Sequence, residues 1–512
     1  SDLSGRIAAD AQVAFNLEDG GAISGLDWKA DIKVSKFSSK KPISGRKLSD
    51  ANLSILVDRS VAKIDGTANI DGIAAKVAMV ESLDGTASGG ERSMRLTLSD
   101  KARKKLGIDT DVFMRGPIDV AVSESKKGVQ HIDADLTKAT LSLPWIKWSK
   151  GKGIKAGVSF DLVESKGVQK LENFQLKGSG FRALGKLVIN KGGLVSASFA
   201  SVKLNKTDNL AVNVKRNKGG YTININARSY DARGIIQSFL QNDDNDPTAK
   251  SKGTVTVKGK IARLLGFGGQ TLTNVSLDYV QRNGRVVRAK IRAAAGGGAE
   301  TQFEMSPSAK GQRTRLSSGN GGSVLRFLDI YSKVRGGNMK VNLVRDKSRV
   351  YVGTIEASNF FLLGEPKLGQ LMRPPRPSTN SREGGTVEIS KVAKFNPRKA
   401  RIRKLTANVS MAKKSLIVRK GRIQGGDAGA SFEGTVYDPR NRTNMAGTFL
   451  PAYGLNKIVS KIPIIGLLTG NGSKRGLIGI TFKLRGPYKN PDLIVNPVSI
   501  LAPGVFRKIF EF

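Results

Sequence analysis

Long stretches of this chain alternate apolar and polar residues with a period of two, and that pattern constrains the fold more than any other feature. From Leu3 the odd positions read Leu3, Ile7, Ala9, Ala11, Val13, Phe15 and Leu17, with Arg6, Asp10, Gln12 and Asn16 between them. After Asp19-Gly20 the phase changes, and Leu26, Trp28, Ala30, Ile32 and Val34 alternate with Asp27, Lys29, Asp31 and Lys33. The pattern returns at Leu53-Ile55-Val57, Val158-Phe160-Leu162, Leu210-Val212-Val214, Val275-Leu277-Tyr279 and Leu405-Ala407-Val409. Turn dipeptides such as Asp65-Gly66, Asp71-Gly72 and Asn283-Gly284 separate many of these runs. A β-strand sends successive side chains to opposite faces, so about two dozen such segments predict an all-β, mostly antiparallel protein with one apolar and one polar face per strand.

Helical spacing is rare. Short helices are predicted near 99–108, where Ser99-Asp100 supplies a cap, near 230–240, and near 323–335, where Leu325, Leu328 and Tyr331 share a stripe ahead of Gly336-Gly337. A brief helix is also expected in "EPKLGQLM", before a Pro/Gly-rich stretch. That stretch divides the chain into a repetitive β region, 1–372, a linker or loop, 373–385, and a C-terminal β region, 386–512.

Composition removes most chemistry. The 512 residues contain no cysteine and one histidine, which excludes Cys/His metal sites, thiol catalysis and disulfides. His131 lies in an alternating run and reads as a surface or turn imidazole rather than a general base. "GFRALGK" (Gly180–Lys186) matches phosphate-loop spacing, but Leu187 stands where Ser or Thr is needed and a strand follows, so it reads as a hairpin. Asp133 and Asp135 fall on the polar face of one strand, with no second acid visible against them. The expectation is a protein that is not an enzyme and carries no cofactor or metal. Its formal charge of +43, from 85 Lys and Arg against 42 Asp and Glu, predicts acidic partners. Dense basic clusters such as "PRKARIRK" (Pro397–Lys404) have almost no aromatics among them, which makes nucleic acid an unlikely ligand. Three Trp and eight Tyr are too few for the two aromatic girdles of an outer-membrane barrel. No apolar run reaches the ~20 residues of a membrane-spanning helix. Residue 1 is Ser and no signal peptide follows, so the chain is expected to be part of something longer.

The C-terminal third resembles the AsmA-like family, in particular its YhdP-type, TamB-related branch. The resemblance is carried by "LDIYSKVRGG" (Leu328–Gly337), "GTIEASNFFLL" (Gly353–Leu363), "GTVYDPRNRTNMAGTFLPAYGLNKIVSKIPIIGLLTG" (Gly434–Gly470) and "GLIGITFKLRGPYKNPDLIVNPVSILAPG" (Gly476–Gly504). Weaker similarity extends through "LTLSDKARKKLGID" and "IDADLTKATLSLPWIKW". It implies an elongated, curled antiparallel sheet, taco-like, whose apolar inner face forms a groove. It further implies a periplasmic bridge-like lipid-transfer protein of a Gram-negative cell envelope, moving phospholipid between the inner and outer membranes in outer-membrane biogenesis. An inner-membrane anchor is expected upstream of this chain, and envelope proteins are possible partners. Candidate lining residues are Val13, Phe15, Leu17, Leu26, Trp28, Ile32, Val34, Val158, Phe160, Leu162, Leu210, Val212 and Val214. The alternative is a basic β-rich module that binds an anionic polymer or nucleic acid.

Near the C-terminus, Leu455, Ile458, Val459, Ile462 and Ile465 form an apolar helical stripe in an end-piece, 455–468, that Pro463 interrupts. Together with Phe506, Ile509 and Phe510 it reads either as a helical cap over the open end of the β region or as an amphipathic element on a membrane surface.

Overall fold

The computed structural model describes residues 2–43, 46–83, 91–108, 110–126, 128–241, 253–345, 350–371, 396–425, 428–451 and 480–496. Strand accounts for 71% of it and helix for 8%, so the fold is all-β and backbone pairing between antiparallel strands is its main organising interaction. The linker at 373–385 and the candidates Leu455, Ile458, Val459, Ile462, Ile465, Phe506, Ile509 and Phe510 lie outside the described residues. Two compact units divide the chain.

In the first unit, residues 1–227 with 243–251, antiparallel strands follow one another as a meander from Leu3–Leu17 to Asn209–Asn217. On one rim the strands are joined by tight turns, such as Lys166-Gly167, where both residues take left-handed φ. The other rim carries the long connections. Leu98 pairs with Ile118, and Asp135 with both Asp119 and Gly157, so 99–117 and 136–155 leave the sheet side by side. These connections fold into the helix Asp100–Lys105 and a small three-stranded sheet of Met114–Arg115, Thr140–Leu143 and Trp148–Lys150. Ala102, Leu106, Met114 and Trp148 cover the apolar face at that rim, above Leu98, Ile118, Ala134, Ala156 and Phe181.

Two buried cations hold this cover down. Arg103, 1% exposed, donates to Leu98 O at 3.1 Å, Gly116 O at 2.7 Å and Thr110 Oγ1 at 3.2 Å, and ion-pairs with Asp100. Lys150, 2% exposed, donates to the carbonyls of Leu136 at 2.5 Å, Ala139 at 2.7 Å and Thr137 at 3.2 Å. Burial pushes the Lys150 ammonium below its usual range, the Asp135 charge acts in the opposite direction, and the cage of carbonyl dipoles replaces part of the lost hydration.

The second unit, 228–242 with 252–512, contains antiparallel strands from Thr254–Leu265 to Asp492–Val495. The expected helices are present as Arg233–Gln241, Gly321–Phe327 and Pro366–Leu371. The reading of 323–335 as one helix is corrected. Asn320 caps a helix that ends at Phe327, Asp329 takes a left-handed φ of 57°, and Val334 already begins a strand. Leu328 and Tyr331 therefore lie beyond the helix, and Gly336 and Gly337 lie inside the strand. Again the insertions share a rim, because Val334 pairs with Leu362 and Leu362 with Ala400. Phe327 packs on Gly266 there, and Leu371 joins Ala400, Phe449, Ile480 and Phe482 in a core cluster.

Candidate functional site

The feature that stands out is the apolar face between the two rims. Residues paired in register share a face of a sheet. In the first unit one lateral row reads Ile7, Val34, Leu53, Gly66, Val77, Met94, Val122, Ile132 and Phe160 along successive pairings. It then continues through Phe174, Gly185, Phe199 and Val212. Every member is apolar, and from Val34 to Val212 every one is half-buried. The second unit repeats the arrangement as Gly259, Leu277, Ile291, Phe303, Leu316, Val341, Ile355 and Ala407.

The sequence-derived candidates fall on this face. Val13 pairs with Trp28, and Ile32 and Val34 continue inward. Leu162 and Val214 belong to one row through Leu171, Leu187 and Ala197, while Val158 and Leu210 belong to another through Leu176, Ala183 and Val202. Phe160 and Val212 sit on the central row. On the first strands the face is open to solvent: Ile7 is 68% exposed and Leu17 70%, and Val13, Phe15, Leu26 and Trp28 are exposed as well. Leu210 is buried, and the remaining candidates are half-buried.

Two lining residues escaped the sequence reading. The Phe160 and Phe174 rings stack at 6.2 Å, and Phe174 meets Phe199 edge-on at 5.8 Å. A bulge at Asn173, with φ of 53°, shifts the phase of the strand Val168–Gly178 and breaks the alternation. Gly185 lies between Phe174 and Phe199, where a Cβ would come within 2.8 Å of the Phe199 ring and 2.1 Å of Ser198 O. The missing side chain lets the two rings meet across it. The "FQL" alternation after Asn173 was the available signal.

The opposite face is polar and cationic. In the second unit one row reads Lys260, Ser276, Arg292, Gln302, Ser317 and Lys340. The adjacent row alternates in sign, as Lys258, Asp278, Lys290, Glu304 and Arg315. In the first unit this face carries His131, whose Nδ1 lies 2.7 Å from Asp161 and Nε2 3.1 Å from Asp133. The expectation that no second acid faces Asp133 and Asp135 is corrected: Asp119 is in register with Asp135, and Lys138 at 3.0 Å compensates it. Register placed these acids together, and register cannot be read from a single strand. Among the described residues, no group of three His, Cys, Asp or Glu is placed to hold a metal.

The Asp161 hydrogen bond, with Asp133 nearby, raises the His131 pKa above its ordinary 6.5, and the same bond holds Asp161 below 3.8. A raised histidine pKa contributes stability that is complete below 6.5 and lost as pH rises through the folded value. The depressed carboxylate contributes above 3.8 and is lost in acid, so the pair stabilises between these limits. With a single histidine in the chain, one imidazole NMR titration reads this directly. The midpoint should lie above 6.5, and a value at or below 6.5 contradicts the clamp.

No protein-family model, curated protein or solved structure matches this chain. Among the described residues, no helix is long and apolar enough to cross a membrane.

Proposed function

We propose that this chain is a non-enzymatic phospholipid carrier of the AsmA-like, YhdP-type kind, in which acyl chains lie along the apolar face and move between the inner and outer membranes of a Gram-negative envelope. The observation that carries this reading is the unbroken central row, Ile7 to Val212, which stays apolar on every strand yet half-exposed. A row that is apolar but uncovered has surface free energy to give to a ligand. An acyl chain laid on it gains about 0.8 kcal/mol per methylene removed from water. Because neighbouring positions are chemically alike, no single one is a deep trap, and a chain can slide by exchanging one aliphatic contact for the next. Periplasmic location and an upstream membrane anchor follow from the same reading. The test is whether phospholipid crosslinks from the apolar face and not from the polar one.

A second reading, a binder of an anionic polymer on the polar face, draws on the cationic row from Lys260 to Lys340. It differs in requiring salt-sensitive binding and no bound lipid.

A further inference from the structure

At the elaborated rim of the first unit, a cavity of about 380 Å³ opens where three segments converge: Lys147–Lys150, Ser179–Phe181 and Leu204–Lys206. Its lining includes Lys147, Lys150 and Lys206 and no Asp or Glu. Ser149, Ser179 and Asn205 add hydroxyl and amide groups, while Trp148, Ile154 and Phe181 form an apolar side. Lys150 spends its ammonium on the three carbonyls described above, but Lys147 and Lys206 are exposed, and an open cavity with two such cations, neutral donors and no carboxylate in its lining is matched to an anion.

The walls of this cavity are built rather than incidental. Asp208, 1% exposed, accepts hydrogen bonds from the backbone N–H of Leu204 at 3.2 Å and of Asn205 at 2.9 Å. That carboxylate fixes the loop whose next residue, Lys206, borders the cavity. The Trp148 indole N–H donates to Leu204 O at 2.7 Å, and its ring meets Phe181 edge-on at 5.1 Å. These contacts lock the cover, the main sheet and the loop together. Lys147 is held in a left-handed conformation, φ 49° and ψ 37°, after the turn Pro144–Ile146. Trp148 and Phe181 also pack with the apolar face at this rim, so the apolar side of the cavity backs onto that face.

We propose that this cavity binds a phosphate-bearing group, and that its source is the headgroup of a phospholipid whose acyl chains lie against the apolar side formed by Trp148, Ile154 and Phe181. The assignment of the source rests on the lipid-carrier reading; the phosphate chemistry does not. It turns a uniform conduit into one with a registration point, where a headgroup is gripped before its tails slide onward.

The test is isothermal titration of the full chain with three probes: dihexanoyl phosphatidylglycerol, inorganic phosphate and dihexanoylglycerol. The short-chain phosphatidylglycerol should bind more tightly than phosphate, and dihexanoylglycerol should bind weakest. Lys147→Glu with Lys206→Glu should weaken phosphatidylglycerol about tenfold or more. The milder Lys147→Gln with Lys206→Gln should give a smaller loss at unchanged melting temperature, which guards against a folding artefact. Equal binding of inorganic phosphate and phosphatidylglycerol overturns the headgroup assignment. Unaltered affinity in both variants overturns the site itself. Acyl crosslinking at the central row separates this proposal from the carrier reading. Crosslinks that persist while the cavity fails to bind sink only the cavity, and phosphate binding without crosslinks sinks only the carrier.

Discussion

Replacing Phe160, Phe174 and Phe199 together by aspartate should reduce phospholipid transfer between vesicles by about a hundredfold while the chain stays folded. The three rings form a continuous aromatic segment of the central row, with centroid spacings of 6.2 and 5.8 Å. In the empty protein all three side chains are half-exposed, so introduced carboxylates remain hydrated and the strands keep their backbone pairing. Once an acyl chain covers them, that hydration is lost. Stripping water from even one unpaired carboxylate costs several kcal/mol, and about 2.7 kcal/mol of added barrier already slows passage a hundredfold. The matched control places aspartate at Ser159, Gln175 and Ser198, which lie on the same strands but on the polar face. That variant should transfer normally. Undiminished transfer by the phenylalanine variant would show that lipid does not travel on this row.

The second large effect is expected at Arg103. Its guanidinium is almost wholly buried and ties the helix Asp100–Lys105 to Leu98 and Gly116, where two strands enter the rim. Arg103→Met keeps the aliphatic volume but strands two carbonyls and the Asp100 carboxylate, which also accepts from Gly116 N–H at 3.0 Å. Loss of such a buried, hydrogen-bonded charge costs about 3 kcal/mol. The cover should therefore open about a hundred times more often, read as faster amide exchange at Arg103, Leu106 and Met114, whose N–H groups bond within the cover. Exchange in the strand Val168–Gly178 should stay unchanged. Unchanged protection at Leu106 and Met114 would mean that apolar packing alone holds the cover.

Much of the fold was legible because its organising interaction is local in pattern. Strand alternation depends only on residue order, so Leu26–Val34, Val158–Leu162 and Leu210–Val214 could be assigned to one apolar face without knowing their partners. What failed to appear depends on partners or on breaks in phase. The bulge at Asn173 hid Phe174, and Gly185 reveals its purpose only when Phe174 and Phe199 are seen on either side of it. Helical spacing at Leu325, Leu328 and Tyr331 was genuine as spacing, yet the left-handed Asp329 ended the helix before two of them. Nothing in the local pattern marks Arg103 and Lys150 as buried, because burial of a charge is set by carbonyls distant in sequence. The cavity beside Trp148 needs three segments spread from Lys147 to Lys206, and no single window of the chain contains them.

The most direct test of the central claim places a photoreactive amino acid singly at Val34, Phe174 and Phe303 on the apolar face, and at Lys33, Gln175 and Glu304 beside them on the polar face. After illumination in cells, mass spectrometry of the purified chain should find covalent phospholipid at all three apolar positions and at none of the polar ones. Lipid adducts of equal yield on both faces, or none on the apolar face, would contradict a carrier whose acyl chains run along it.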